Sequence, residues 1–243
     1  MAGVARAYEI ASVERGEVLR YLGHSGQKIV PELDARIDEV VARCLAAARP
    51  RGVTRVFDVA RRGRRDGRPV IELAGTALAL EGSSIARHLD GAVAVGVLAV
   101  TAGMGVDLEL RRLSLTDRVA EVVFDAAGSA LVERAADAAE ADIVAEAAAR
   151  GLYTGSRFSP GYGDLPLATQ PVLLSSLDAQ RALGITLSAT LLMSPTKSVT
   201  AVVGLFEEPR ERAYVACDEC LSRDFCKIRP TGSTCRDLTG ATG

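Results

Sequence analysis

The chain is poor in several residue types that mark common functional classes. It has no Trp, only five Tyr and five Phe, and two histidines, His24 and His88, that have no neighbouring ligand or nucleophile pattern. Its 29 Lys plus Arg nearly balance 31 Asp plus Glu, which leaves a net charge of −2. That balance argues against general binding to nucleic acids or to membrane surfaces. We therefore expect neither a nucleic acid nor a membrane as a partner.

Long apolar runs are missing as well. The longest uncharged segment, residues 91–106, is interrupted by four glycines and is shorter than the roughly 20 residues that a membrane-spanning helix needs. The first residues also lack the apolar core of a secretion signal. We therefore expect a cytoplasmic protein, and in that reducing compartment its five cysteines are not expected to form disulfides.

The order of helix and strand patterns predicts an α+β fold, in which helices pack on an antiparallel twisted sheet. Helices are predicted at residues 31–48, 83–88, 116–150 (two helices meeting near Gly128) and 171–183. Strands are predicted at residues 53–60, 69–74, 92–101, 185–193 and 199–206, the last two forming a hairpin. The composition changes after Glu208-Pro209, which predicts a main domain at 1–208 and a small C-terminal cysteine-rich metal or cluster unit at 209–243.

Five arginines lie between the first two predicted strands, in residues 61–68. An Asp66-Gly67 pair within this segment favours a turn. We interpret the segment as a solvated hairpin loop, and an anion-binding tip remains the alternative.

Residues 157–170 fit neither a helical nor a strand period, and they contain two prolines and two glycines. A structured loop that carries an Arg, a Tyr, an Asp and exposed backbone amides is typical of an element that holds a polar ligand. In the preceding predicted helix, Glu133 and Asp137 are four residues apart and share one face. This pattern marks the loop as the candidate binding site.

Four of the five cysteines lie close together in the C-terminal segment, with the spacing Cys-x2-Cys-x5-Cys-x8-Cys; they are Cys217, Cys220, Cys226 and Cys235. Clustered thiolates in a cytosolic chain indicate a soft metal or a cluster. Zinc ribbons usually have two Cys-x2-Cys pairs, whereas iron–sulfur sites tolerate irregular spacing around one pair. An iron–sulfur cluster, zinc and free or regulatory thiols all remain open.

The segment Arg157-Phe158-Ser159-Pro160-Gly161-Tyr162, followed by Met193-Ser194-Pro195, resembles the activation domain of cobalamin-dependent methionine synthase. It is most similar to the stand-alone form of that domain, which also carries a cysteine-rich tail. The resemblance is clear over residues 128–205 and weaker before them, where it rests on residues 18–23. It implies a protein that binds S-adenosylmethionine and helps to reactivate a corrinoid enzyme whose cobalt has been oxidised.

The resemblance also implies roles for individual residues. Arg157 would bind the carboxylate of S-adenosylmethionine, backbone groups around Ser159 and Gly161 would hold the rest of the ligand, and Tyr162 would lie near both ligand and corrin. Glu133 and Asp137 would face the positive end of the ligand. These residue types suit S-adenosylmethionine, which is a zwitterion that also carries a positive sulfonium. Arginine pairs bidentately with a carboxylate, and a protein carboxylate stabilises nearby positive groups. No catalytic acid or base is expected, since methyl transfer to cobalt moves no proton.

The sequence lacks the Asp-x-His-x-x-Gly signature of cobalamin-binding modules. The cobalamin is therefore expected on a separate partner, which would be a methionine synthase or another corrinoid methyltransferase, with a low-potential electron donor as a further partner. This chain would act as an accessory subunit of that enzyme. The alternative is a non-catalytic metal-stapled module that docks on a corrinoid methyltransferase. An unrelated S-adenosylmethionine-dependent methyltransferase fits less well, because residues 103–107 match a glycine-rich nucleotide-binding loop poorly.

The cysteine pattern yields a first prediction. Thiolate-ligated clusters reach potentials down to about −700 mV, low enough to pass an electron to cobalt. If the tail holds such an iron–sulfur cluster, anaerobically purified protein should be brown and should bleach when dithionite reduces the cluster. Cys226→Ser should lose the colour and leave binding of S-adenosylmethionine intact, whereas Cys44→Ala should keep the colour. Absorption spectra and metal analysis make the comparison. A colourless wild-type protein that holds zinc would contradict the cluster and leave a structural role.

Overall fold

The computed structural model describes residues 4–24 and 26–209. The helices are α1 (Arg15–Tyr21), α2 (Pro31–Ala47), α3 (Ser83–His88), α4 (Met104–Thr116), α5 (Arg118–Ala149), α6 (Gln170–Ser176) and α7 (Ala179–Leu183). The strands are β1 (Arg6–Ala7), β2 (Arg51–Arg65), β3 (Arg68–Leu73), β4 (Ala79–Glu81), β5 (Ala94–Thr101), β6 (Tyr153–Phe158), β7 (Thr186–Leu187), β8 (Met193–Ser194) and β9 (Ser198–Phe206).

Most strands form one antiparallel sheet in the order β4-β3-β2-β5-β9-β6, and β1 pairs with β2 beside this path. Hydrogen bonds at both ends of each strand pair show the relative directions of β2, β5 and β9. Arg49 N donates to Ala102 O and Val59 N to Val93 O, so β2 and β5 run in opposite directions. Ala102 N likewise donates to Lys197 O, and Val93 N to Leu205 O, between β5 and β9. The predicted α+β class with an antiparallel sheet is confirmed.

The arginine-rich segment is a hairpin, but it is not a loop. Strand β2 continues through Arg65 and pairs with β3 down to Arg65 opposite Arg68. Only Asp66 and Gly67 form the turn, and both have positive φ values, 51° and 80°. Two-residue turns of this kind match the twist of the flanking strands, which explains why the Asp-Gly pair predicted the turn correctly. The prediction of a loop over residues 61–68 was wrong, because these arginines lie on exposed strands of an antiparallel ribbon.

The region 116–150 forms one helix, α5, and not the two that were predicted. Gly128 lies inside it, where an added Cβ would come within 3.3 Å of side-chain carbons of Lys197 and Val106. The glycine therefore reflects close packing and does not end the helix. Helix α4 was not predicted, because Gly103-Met104-Gly105 suggested a tight turn. In the structure Gly103 precedes the first residue of α4.

Residues 171–206 also differ in part from expectation. The predicted helix is split into α6 and α7, with Asp178 in the left-handed conformation between them, and Gly184 follows α7. Residues 185–193 are not one strand. They contain β7, which pairs with β8 in a separate two-stranded sheet, while β9 joins the main sheet. The polar residues Ser188 and Thr190 form a local hydrogen-bonded turn there, and this turn interrupts the strand pattern.

The chain divides into two compact units that alternate along the sequence. Within the described residues, the first unit comprises residues 4–24, 26–55, 97–142 and 173–200, and the second comprises residues 56–96, 143–172 and 201–209. In the first unit, Val18 of α1 packs against Ala126 and Ala130 of α5. In the second unit, a Cβ at Gly96 would lie 2.5 Å from Ile143, so the strand and the helix touch there. The expected boundary between 1–208 and 209–243 falls at the end of the described residues and stays a prediction.

Candidate functional site

Arg157 lies on β6, the edge strand of the sheet, and not in an irregular loop as expected. It pairs in register with Val203 of β9, after an irregularity in the pairing between Thr154 and Arg157. The side chain is half-buried, and its Nη1 atom is shielded from solvent. Because the backbone at Arg157 is paired with β9 and Nη1 is buried, the guanidinium lies at the edge of the sheet.

A compact turn follows β6 and contains the other residues of the predicted loop. Tyr162 N donates to Ser159 O at 3.0 Å, Leu165 N donates to Tyr162 O at 3.0 Å, and Gly161 N donates to Leu165 O at 2.9 Å. Gly161 has a φ of 92°, a conformation that other residues rarely adopt. Pro160 and Leu165 are buried, whereas Gly161 is exposed and Tyr162 is 52% exposed. The structure therefore brings Arg157, Ser159, Gly161 and Tyr162 together within one short segment.

Aromatic side chains support this segment from the α3 side. The rings of His88 and Phe158 are 5.0 Å apart between centroids, and Phe158 meets Tyr162 edge-on at 6.1 Å. His88 Nε2 is also 2.8 Å from Ser156 O, a carbonyl that lies 68 residues further along the chain. Phe158 is buried, so it anchors the exposed Tyr162 ring on one side. Sequence reasoning did not connect His88 with this segment.

Asp164 joins the turn to helix α3. Its carboxylate accepts hydrogen bonds from Ser83 N at 2.7 Å and from Ser84 N at 2.8 Å. These two amides lie at the start of α3, where backbone donors have no partner within the helix. Serine is a common helix cap, so the sequence predicts that Ser83 or Ser84 caps this helix. Neither serine gives a side-chain cap, and the acceptor comes from a residue about 80 positions later.

The approach of the turn to α3 is close enough to require glycine. A Cβ on Gly163 would lie 2.6 Å from Ser84 Oγ, and one on Gly82 would lie 2.6 Å from Asp164 Oδ1. Such distances are shorter than side-chain carbons tolerate, so both positions exclude larger residues. The second glycine of Pro160-Gly161-Tyr162-Gly163 therefore has a packing role that the sequence alone did not reveal.

The hydrogen bonds at Asp164 also change its titration. Partial burial is the largest single effect and raises the pKa, but the backbone amides of Ser84 and Ser83 and the Ser84 side chain together outweigh it. The net result is a pKa below the usual Asp value. The folded protein therefore prefers the ionised carboxylate, as expected for an anion at a helix start.

Glu133 and Asp137 lie on α5 in the first unit, whereas the Arg157 segment belongs to the second. Asp137 is exposed and lies 3.6 Å from Arg134 in an ion pair. Glu133 is half-buried, and its charge acts on Tyr21 of α1. Burial and then the Glu133 charge raise the pKa of Tyr21. The four-residue spacing keeps both acids on one side of α5, but their interactions differ: the Glu133 charge acts on Tyr21, whereas Asp137 pairs with Arg134.

The expected metal ligands Cys217, Cys220, Cys226 and Cys235 lie outside the described residues. Within residues 4–24 and 26–209, no group of three His, Cys, Asp or Glu side chains could hold a metal ion. Cys44 is buried on α2, and burial raises the pKa of its thiol to about 12. That agrees with the core role its helical stripe implies. In the same part of the chain, no helix is long and apolar enough to cross a membrane.

Known proteins identify this class of domain. A family model described as "Vitamin B12 dependent methionine synthase, activation domain" matches residues 84–226. The match spans more than half of the chain, and it includes α3 except for Ser83, strand β6 and the turn that carries Tyr162. The chain therefore belongs to the family of activation domains of vitamin B12-dependent methionine synthase.

A solved structure shares the fold. It is a crystal structure of the MetH reactivation domain bound to AdoHcy, with a TM-score of 0.57 and 17% sequence identity. The alignment covers 98% of this chain and 88% of that one. Among curated proteins, none matches the chain. At 17% identity, this similarity shows that the two proteins share a fold.

The Asp164 contact generates a stability prediction. Asp164→Ala removes both acceptors at the start of α3 and should lower the free energy of unfolding at pH 7 by about 0.5–2 kcal/mol. Because the folded pKa is lowered, this contribution is present above the ordinary Asp value of 3.8 and is lost as the pH falls through the folded pKa. Urea unfolding at a series of pH values measures the difference between variant and wild type.

Asp90→Asn is the control, because Asp90 is an exposed acid beside the C-terminal end of the same helix. It should change the free energy of unfolding little at any pH. A difference between Asp164→Ala and wild type that stays constant down to pH 3 would contradict the charge-assisted cap.

Proposed function

We propose that this protein binds S-adenosylmethionine and uses it to remethylate the oxidised cobalamin of a separate corrinoid protein, a methionine synthase or another corrinoid methyltransferase. Membership of the activation-domain family supports the reaction class. One structural observation carries the site. A half-buried Arg157 on an edge strand is followed by a tight turn that presents exposed backbone and an exposed tyrosine.

Arg157 is the proposed anchor for the carboxylate of the ligand. A guanidinium presents two parallel N–H donors that match the two oxygens of a carboxylate. Arg157 has one nitrogen shielded from solvent and lies on a strand paired with β9, so it loses little freedom on binding. In a partly desolvated position such a pair is also stronger than it would be at a fully exposed site.

The turn after Arg157 is the proposed contact for the rest of the ligand. Gly161 is exposed and has no side chain, so the backbone near Ser159 and Gly161 is open to close approach. Tyr162 offers an exposed ring that Phe158 supports edge-on, which suits stacking on a flat, partly apolar group. The His88 ring packs against Phe158 and so also helps to hold the Tyr162 ring in place.

The positive groups of the ligand need negative partners, and Glu133 and Asp137 are proposed for that role. Both are carboxylates on one face of α5. A carboxylate close to an ammonium or a sulfonium stabilises the charged ligand. The assignment of this pair rests on family resemblance, and a test of it must be separate from the test of Arg157.

The proposed reaction requires little acid–base chemistry from the protein. The bond between sulfur and the methyl carbon of S-adenosylmethionine breaks, its electron pair stays on sulfur, and S-adenosylhomocysteine leaves. The electron pair of the new bond to carbon comes from the reduced cobalt of the partner. No proton moves, so the residues around Arg157 have to bind the ligand, orient the methyl group and keep water away.

Reduction of the oxidised cobalt also requires a low-potential electron. We propose that Cys217, Cys220, Cys226 and Cys235 hold an iron–sulfur cluster that relays it, with zinc as the alternative occupant. A separate low-potential donor would then supply the cluster. In this proposal the cobalamin is carried by the partner.

Titration with S-adenosylmethionine tests the site. Arg157→Ala should weaken binding by ~30- to 1000-fold, which corresponds to about 2–4 kcal/mol, because a charge-assisted bidentate pair is lost. Arg157→Lys should also bind poorly, since a single ammonium cannot form both hydrogen bonds. Calorimetry gives the affinities, and circular dichroism shows whether the fold is kept.

Arg64→Ala is the matched control. Arg64 is an exposed arginine on the β2–β3 hairpin that donates to Gly67 O. Its replacement should leave the affinity unchanged. If Arg157→Ala bound S-adenosylmethionine as tightly as wild type while folded, the proposed site would be wrong and a non-catalytic docking role would gain support.

A further inference from the structure

The densest run of arginines in the sequence lies on the β2–β3 hairpin, within the second unit. All residues from 61 to 68 are exposed. Apart from Asp66 and two glycines they are arginines, so every side chain in this segment is charged. We call these arginines the arginine ribbon; they are Arg61, Arg62, Arg64, Arg65 and Arg68.

The ribbon extends beyond the neighbouring strand of the sheet. Val59 N donates to the carbonyl of Val93, which precedes the first residue of β5, and β2 and β5 are antiparallel. Residues 61–65 therefore lie past the start of β5, where they pair with β3. At about 3.4 Å per residue, Arg65 lies roughly 20 Å beyond Val59 along the strand. The tip of the hairpin is thus a projecting surface.

The pairing register places two of these arginines directly against each other. Arg65 lies opposite Arg68 across the turn, and like charges in this position destabilise a hairpin. Glu72 offsets part of the charge, because it accepts hydrogen bonds from Arg61 at 2.9 and 3.1 Å and lies 3.5 Å from Arg65. Residues 61–72 still contain five arginines against two acids. An excess of positive charge that costs stability suits a surface that meets an acidic partner.

Arg62 ties the ribbon to the helix that also supports the proposed ligand site. Its Nη2 atom donates to Leu89 O at 2.8 Å and to Ala92 O at 2.7 Å, just after α3. The start of α3 is bound to the turn after Arg157 through Asp164. A helix of this length, six residues, spans about 9 Å. The ribbon and the turn are therefore attached to opposite ends of one short, rigid element.

We propose that the arginine ribbon binds an acidic surface of the corrinoid protein that receives the methyl group. The proposal rests on the proposed function and adds to it the surface that holds the partner. A protein that brings its cobalt to a methyl group near Tyr162 also covers the surface around that turn. A standard interface covers about 800 Å² on each partner, roughly 30 Å across, so it extends past the far end of α3. Charge complementarity there speeds the encounter and fixes the orientation of the partner.

The composition of the ribbon favours a protein partner over a nucleic acid or a membrane. The whole chain has a net charge of −2, whereas domains that bind nucleic acids are typically basic. Residues 61–68 contain no aromatic side chain that could stack on a base and no apolar side chain that could enter a bilayer. Guanidiniums on a narrow ribbon match carboxylates on the surface of a protein.

Arg68→Glu tests the docking without weakening the hairpin. It places a carboxylate opposite Arg65, so an ion pair replaces a like-charge pair and the melting temperature should stay the same or rise. The probe is oxidised cobalamin-dependent methionine synthase, and biolayer interferometry at low ionic strength gives its Kd for this chain. We expect Arg68→Glu to raise the Kd by about tenfold. The difference from wild type should shrink at about 0.5 M NaCl, because salt screens exposed charges.

Arg111→Glu is the matched control, because Arg111 is an exposed arginine on α4 in the first unit and its replacement changes the net charge equally. It should leave the Kd for the synthase unchanged. Calorimetry with S-adenosylmethionine separates this proposal from the proposed function. Arg68→Glu should bind S-adenosylmethionine as wild type does. A wild-type chain that did not bind S-adenosylmethionine would count against the proposed function, whereas the Kd for the synthase decides the role of the ribbon.

Three results would overturn the docking proposal. If the Kd were equal in wild type and Arg68→Glu, or rose equally in Arg68→Glu and Arg111→Glu, the arginines would only protect the exposed edge of the hairpin from pairing with other chains. A wild-type chain that did not bind the synthase would also contradict it. So would a DNA duplex that binds wild type in competition with the synthase but does not bind Arg68→Glu, because the ribbon would then serve a nucleic acid.

Discussion

The contact between the Asp164 carboxylate and the first amides of α3 fixes the turn after β6 to a helix that precedes it by about 80 residues. Gly82 and Gly163 allow the two segments to approach closely enough for that contact. The His88 ring, at the other end of α3, packs on Phe158 and thereby supports Tyr162. The local geometry after Arg157 therefore depends on an ion–amide contact and on two positions without a Cβ.

The residues gathered around Arg157 are suited to binding rather than to proton transfer. The His88 ring packs against Phe158 and is hydrogen-bonded to the Ser156 carbonyl. The Asp164 carboxylate accepts hydrogen bonds from backbone amides. The same segment also presents the half-buried Arg157 and the 52% exposed Tyr162 ring. Such a set can hold and orient a charged, partly aromatic molecule without a general acid or base. This agrees with a reaction in which a methyl group moves between sulfur and cobalt.

Sequence patterns predicted the elements whose signal is local. Helix α2 follows an apolar stripe, β5 is buried at every position, and the Asp66-Gly67 turn is set by two residues. Features that depend on distant packing were missed. In the sequence Gly128 suggests the end of a helix, whereas in the structure it lies inside α5 and packs closely against Lys197. The cap of α3 comes from Asp164, about 80 residues away, so no local sequence pattern predicts it. Family resemblance located the Arg157 segment, but only the structure connected it with α3.

The central claim is that this chain supplies a methyl group to cobalamin bound by another protein. The most direct measurement mixes the purified protein with an oxidised corrinoid methyltransferase, S-adenosylmethionine and a low-potential reductant, and follows methylcobalamin by its absorption spectrum. Methylcobalamin should form on the partner, with an equal amount of S-adenosylhomocysteine, only when the full set is present. If methylcobalamin formed at the same rate without this chain, the account would be contradicted. It would also be contradicted if no methylcobalamin formed with this chain present, whether the partner is methionine synthase or another corrinoid protein.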